Sequence, residues 1–157
     1  MEIIRFSPDY TNAVADVIVP IQREEFGIAI TYAGQPDLVD IPGFYQTGAG
    51  EFWLARSEGH VVGTIALKDI GNGDSALRKM FVTRSHRGAA HGIATALLKT
   101  LLDHARAKGL RSVWLGTTDK FLAAHRFYEK NGFDRVDATT LPTAFPRMAV
   151  DSIFYRL

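Results

Sequence analysis

With 157 residues, 46% of them apolar and 22% charged, the chain reads as one globular domain, 1–157, large enough to bury roughly two-thirds of its unfolded surface without a disulfide or metal staple. It contains no cysteine, which excludes disulfides, Cys-ligated zinc and a thiol nucleophile. The net charge of +1 hides an asymmetry. Residues 24–51 carry Glu24, Glu25, Asp37, Asp40 and Glu51 with no Lys, Arg or His, whereas residues 78–91 carry Arg78, Lys79, Arg84, Arg87, His86 and His91 with no acid. One stretch suits a cation and the other an anion. Met1–Phe6 has no basic-then-apolar leader, and no apolar run approaches the ~18 residues of a membrane helix, so a cytoplasmic enzyme or binding protein is expected.

Glu2–Ser7 is expected as a strand. Ala13, Val14, Val17, Ile18 and Ile21 fall on one side of a helix over Thr11–Phe26, with Pro20 predicting a kink or break near Val19. Ile28–Gly34 is irregular. Pro36 opens a short helix that Pro42-Gly43 limits. Glu51–Ser57 and His60–Ile70 are strands joined by a turn at Glu58-Gly59, and Gly71-Asn72-Gly73-Asp74 turns the chain into a third antiparallel strand, Ser75–Thr83. Gly92–Lys108 is the clearest helix: Ile93, Leu97, Leu101 and Ala105 repeat every four residues, and Gly109 follows as a terminator. Ser112–Gly116 is a strand, Phe121–Lys130 a helix, and Phe133–Val136 and Met148–Tyr155 the last strands. The order β-α-α-β-β-β-α-β-α-β-β predicts an α+β fold, a mixed and mostly antiparallel sheet flanked by helices.

The informative segment is Arg78–Leu98. A strand ends at Met80-Phe81-Val82, a basic loop Arg84-Ser85-His86-Arg87-Gly88-Ala89-Ala90-His91 follows, and a helix opens on the small residues of Gly92-Ile93-Ala94-Thr95. A helix start offers unpaired N–H groups and about half a positive charge, small side chains admit a ligand, and arginine pairs bidentately with phosphate. No Gly-Lys-Ser/Thr completes a P-loop, no Gly-x-Gly-x-x-Gly follows a strand, and no nucleic-acid recognition motif is present. His125 and Glu129 stand one helical turn apart but lack further ligands, so no metal site is expected.

This segment, with Ala123-Ala124-His125-Arg126-Phe127-Tyr128-Glu129-Lys130-Asn131-Gly132-Phe133, resembles the GNAT N-acetyltransferases. The second motif matches the family's Ala-x-x-x-Tyr-Glu-Lys-x-Gly-Phe pattern. The resemblance implies acetyl-CoA as donor and an amine as acceptor. It implies that Met80, Phe81 and Val82 pair with the pantetheine arm, and that Arg87, Gly88, Ala90, His91, Gly92, Ile93, Ala94 and Thr95 wrap the pyrophosphate. It makes Tyr128 the group that protonates the departing thiolate; a phenol of pKa about 10 can serve a thiol of about 8.5. Two departures stand out. Ala89 occupies the position where the family has Gln or Arg, with Arg87-Gly88 moved two residues away from the helix; either Arg87 reaches the phosphates around a wider loop or a histidine helps. Phe121 stands where the family often has Asn.

The acceptor's base stays open among Glu24, Glu25, Asp37, Asp74, Asp119 and Asp151. Glu24, Glu25 and Tyr32 are the acceptor candidates, because family members bind the acceptor near the first helices. Tyr32, Phe44, Tyr45, Trp53 and Phe145 are candidate walls, and acidic walls would favour a cationic acceptor. The expected activity is direct transfer to a primary amine of a small molecule, amino acid or peptide in a ternary complex, without a nucleic-acid or membrane partner. The rivals are a non-catalytic acyl-CoA-binding sensor and a binder of another phosphorylated ligand. A homodimer could pair through an exposed C-terminal strand ending Phe154-Tyr155-Arg156-Leu157.

Overall fold

The computed structural model describes residues 1–157. Strands β1 (Glu2–Arg5), β2 (Glu51–Ser57), β3 (His60–Gly71), β4 (Asp74–Val82), β5 (Ser112–Thr117), β6 (Asp134–Val136) and β7 (Ile153–Arg156) form one sheet. Its order is β1-β2-β3-β4-β5-β7-β6. All neighbours are antiparallel except β4 and β5, which are parallel because helix α4 (Ile93–Ala107) crosses over between them. Helices α1 (Thr11–Pro20), α2 (Pro36–Val39) and α3 (Ile41–Phe44) precede β2, and α5 (Leu122–Lys130) follows β5. This is the mixed α+β architecture expected from the element order. No helix is long and apolar enough to cross a membrane.

The period of two in the strands divides the core between the sheet's faces. Trp53 and Ala55 of β2, with Ile65 and Leu67 of β3, join Leu97 and Leu101 of α4 and Tyr155 of β7 on one face. Phe52, Leu54 and Ala66 join Val14 and Ile18 of α1, Leu38, Ile41 and Tyr45 on the other. The sheet is therefore buried on both sides over its centre.

Several boundaries differ from the sequence-based expectation. The first helix does not break near Val19. It runs through Pro20 and widens into a π turn, Ile21–Glu25, in which Phe26 N–H donates to the Ile21 carbonyl at 3.2 Å. Proline brings no N–H to the helical ladder, and the register changes from the residue that follows it. Pro42-Gly43 lies inside α3, whose first turn is capped by Asp40 accepting from Gly43 N–H at 3.0 Å. The last strand begins at Ile153, not Met148. Asp151 folds Met148–Asp151 into a turn: its N–H donates to the Met148 carbonyl at 3.0 Å and its carboxylate accepts from Met148 N–H at 2.9 Å. That strand is not an exposed edge either. β7 lies between β5 and β6, and Ile153, Phe154 and Tyr155 are buried. Its backbone is paired on both sides, so it offers no edge for a dimer.

Candidate active site

β4 and β5 pair over three positions, Asp74–Ala76 with Ser112–Trp114. Beyond them the strands part. Leu77–Val82 lose their neighbour while Leu115–Thr117 turn to β7. A bulge adds to the splay: Ala66 pairs with Arg78 but Thr64 with Phe81, and Lys79 takes a left-handed φ of 52°. Thr64 Oγ1 donates to the Lys79 carbonyl at 2.7 Å and fixes the bulge. The opening is a cleft of about 170 Å³. Its walls include Met80 and Phe81 of β4, Leu115 and Gly116 of β5, Ala124 and Tyr128 of α5, Phe26 after the π turn, and Phe145 and Asp151 of the loop before β7.

Of the predicted cofactor contacts, Met80 and Phe81 line this cleft; Val82 lies just past it. The rest form the loop and helix start beyond the end of β4. Gly92 caps α4 in the left-handed region (φ 66°), with no side-chain cap. The first intrahelical bond runs from Ala96 N–H to the Gly92 carbonyl at 3.0 Å, so the N–H groups of Ile93, Ala94 and Thr95 precede the ladder. A Cβ at Gly88 or Gly92 would meet open space, so nothing crowds this helix start.

Arg87 is held elsewhere. Its two terminal nitrogens donate to the Glu25 carboxylate at 2.6 and 2.8 Å, and its Nε donates to the Val82 carbonyl at 2.8 Å. Arg84 lies 3.8 Å from the same carboxylate. The hydrogen bond from Arg87 holds the Glu25 carboxyl below its usual range against the opposing effect of burial. His86 and His91 face each other across the loop at 5.6 Å between ring centroids.

Tyr128 is 8% exposed. Its ring packs against Phe127, Phe133 and Tyr155, and its hydroxyl has one partner, Met80 Sδ at 3.8 Å. Burial pushes the phenol well above its usual range. A buried hydroxyl satisfied only by a thioether, on the wall of an apolar cleft, fits a ligand that brings a better acceptor, such as a thiolate or thioester sulfur. The uncapped α4 start, with two arginines close by, fits a diphosphate.

Sequence reasoning missed a buried polar network beside the cleft. Lys79 Nζ donates to Gln35 Oε1 at 2.8 Å and lies 3.4 Å from Asp37 Oδ2, which also accepts from the Tyr45 hydroxyl at 2.6 Å. Gln22 and Gln35 exchange amide hydrogen bonds at 3.0 and 2.8 Å. Burial lowers the Lys79 ammonium's pKa from its usual range, with Asp37 opposing. Nothing local in the sequence signals this network, because its members come from the π turn, the following loop, α2 and β4.

The acceptor candidates fall differently from expectation. Glu24 is exposed, Glu25 is committed to Arg87, and Tyr32 packs on the core beneath α1; none of the three lines the cleft. Of the other acids considered as bases, Asp37 is committed to Lys79 and Tyr45. Asp74 sits at the opposite end of β4; burial opposes its ionisation, but hydrogen bonds from Ser112, Arg111 and Trp114 keep its carboxyl low. Asp119 is exposed. Asp151 alone among them lines the cleft. His125 bonds the Thr118 carbonyl at 2.8 Å and Glu129 accepts from Tyr155 at 2.5 Å, so this pair is engaged separately. The expected acidic wall is replaced by Arg78 and Lys79.

The site is thus built on a splayed parallel strand pair, a bulge on its first strand and an uncapped crossover helix. The acetyltransferase (GNAT) family profile matches residues 16–133. The chain is 37% identical to a GNAT-family acetyltransferase of Staphylococcus aureus Mu50 of known structure, with a TM-score of 0.93 over 99% of this chain and 96% of that one. It is 36% identical over 77% of its length to N-acetylaspartate synthetase of Danio rerio, and 39% identical over 64% to probable N-acetyltransferase family 8 member 5 of Mus musculus. The fold alone is shared, at 17% identity and a TM-score of 0.74, with an N-acetyltransferase of Thermoplasma acidophilum solved in complex with coenzyme A. The chain belongs to the acetyltransferase (GNAT) family. It spans 44% and 46% of the lengths of the two named sequence relatives.

Proposed function

We propose that the protein transfers the acetyl group of acetyl-CoA to a primary amine of a small molecule, amino acid or peptide, by direct attack in a ternary complex. The observation that carries this reading is the nearly partnerless Tyr128 hydroxyl on the wall of the β4–β5 cleft. When bound, acetyl-CoA supplies a thioester carbon for attack and a thiolate as leaving group. The N–H groups of Ile93, Ala94 and Thr95 would hold its diphosphate, with Arg84, Arg87 and the Gly88–His91 loop around it. Met80, Phe81 and Val82 would hold the pantetheine arm along the free edge of β4. Phe26 and Phe121, with centroids 4.1 Å apart, help to exclude water. Tyr128 keeps its proton through neutral pH and is a hydrogen-bond and proton donor to the sulfur.

The acceptor we infer carries a carboxylate beside its amine. Arg78 lines the cleft, lies over the Phe44 ring at 5.6 Å and is in none of the ion pairs. A half-buried guanidinium without an anion suits a carboxylate. The name of the Danio rerio relative points the same way. Thiol release from acetyl-CoA, followed with L-aspartate, glycine, L-lysine and spermidine, tests both statements. Release with an amino acid above spermidine supports them. Coenzyme binding without release in the presence of any amine would favour the non-catalytic sensor.

A further inference from the structure

Asp151 is the single acid on the wall of the cleft, and its carboxylate has a built seat. It belongs to the turn that leads into β7, where Oδ2 accepts from Met148 N–H at 2.9 Å. It lies against β5 at the one position of that strand without a side chain. A Cβ on Gly116 would stand 2.7 Å from Oδ2 and 2.8 Å from Cγ of Asp151. A lone glycine in an apolar strand marks such a close approach.

The charges facing this carboxylate are all positive: Arg78 and Lys79 from β4, and Arg147 from its own loop. None is paired with it. Lys79 is bound to Asp37, Arg78 lies over Phe44, and the Arg147 guanidinium lies over Phe154 at 4.8 Å. Tyr128, on α5, is the remaining titratable group of the cleft. Asp151 is thus anchored, half-buried and open to the cavity that contains the candidate acid.

We propose that Asp151 is the general base that takes a proton from the acceptor's ammonium, in the same cleft where Tyr128 supplies one to sulfur. The proposal rests on the acetyltransferase reading. Burial pushes the Asp151 carboxyl above its usual range, outweighing the Met148 N–H and the cations, and this strengthens it as a base. The step balances. An alkylammonium gives one proton to Asp151, and the freed lone pair forms the C–N bond at the thioester carbon. The C–S pair passes to sulfur with the Tyr128 proton. A second proton leaves nitrogen and restores the phenol, and Asp151 releases its own to solvent. One amide, one thiol and one proton result.

The test is the pH dependence of thiol release for wild type, Asp151→Asn and Gly116→Ala, with L-aspartate, glycine, L-lysine and spermidine as amines. Thermal shifts with acetyl-CoA are read in parallel. Asp151→Asn should keep the acetyl-CoA shift, lose ~100-fold or more in kcat, and lose the acidic limb of the kcat/KM profile. Gly116→Ala keeps the carboxylate but pushes it from its seat, and should lower kcat by at least ~10-fold with the acetyl-CoA shift intact. Asp151→Asn with wild-type turnover and an unchanged acidic limb would overturn the base and leave the enzyme standing. A wild type that binds acetyl-CoA but releases no thiol with any of the four amines would overturn both.

Discussion

Tyr128 keeps its proton on a buried oxygen whose partner is the Met80 thioether. The phenol is harder to ionise here than in water, so full transfer to a thiolate is steeper than free-solution values imply, and a strong hydrogen bond to the developing charge gains in importance. Tyr128→Phe should lower kcat by ~100-fold and leave the affinity for acetyl-CoA unchanged, measured by steady-state thiol release and by titration. Lys79 differs in kind. Its ammonium is buried with Asp37 and Gln35, so Lys79→Met strands a buried carboxylate. A loss of ~3–5 kcal/mol is expected in urea unfolding, and adding Asp37→Asn should recover part of it. Tyr128 was singled out in the sequence because the motif that carries the family resemblance, Ala124…Tyr128…Gly132-Phe133, is local. Lys79 was not, because its partners are 42 or more positions away and reach it only once the bulge forms.

At the scale of elements, the Glu25–Arg87 pair joins the π turn after α1 to the loop before α4. It holds the arginine expected to meet the diphosphate on the acid expected to meet the acceptor. On the proposed reading, Glu25 competes with the diphosphate for Arg87. Glu25→Gln should tighten acetyl-CoA binding several-fold in a titration, on the scale of ~1 kcal/mol for a part-exposed pair. Its effect on stability depends on pH. The folded-state pKa of Glu25 is lowered from 4.5, so its contribution is complete above that value and vanishes as pH falls through the folded value. Glu25→Gln should then lose on the order of 1 kcal/mol or less at pH 7, and by denaturant unfolding the difference from wild type should shrink as pH is lowered into the acid range.

The same scale explains what could be read from the chain. The four-residue repeat Ile93-Leu97-Leu101-Ala105 located α4, and the Glu58-Gly59 turn signal located β2 and β3, because those signals are local. The π turn follows from one proline, and its register is not a pattern. Asp151 delays the start of the expected last strand through a side chain that bonds its own turn.

Across the whole molecule, the proposed site is one incomplete seam, between β4 and β5, in an open seven-stranded sheet. Two cores pack on opposite faces, and the chain inserts β7 beside β5 rather than filling the gap beside β4. The bulge at Lys79 and the turn at Asp151 help to set the walls of that gap. The strand count and the parallel crossover were legible from element order. The insertion of β7 was not, because its apolar run suits an edge or an interior position equally. Thermal unfolding in the presence of acetyl-CoA, coenzyme A or ADP tests the central claim most directly. At ~100 times its dissociation constant, acetyl-CoA should add about 2.7 kcal/mol and raise the midpoint by roughly 5–10 °C, well above ADP at the same concentration. No shift with any of the three at millimolar concentration, or equal shifts with acetyl-CoA and ADP, would contradict it.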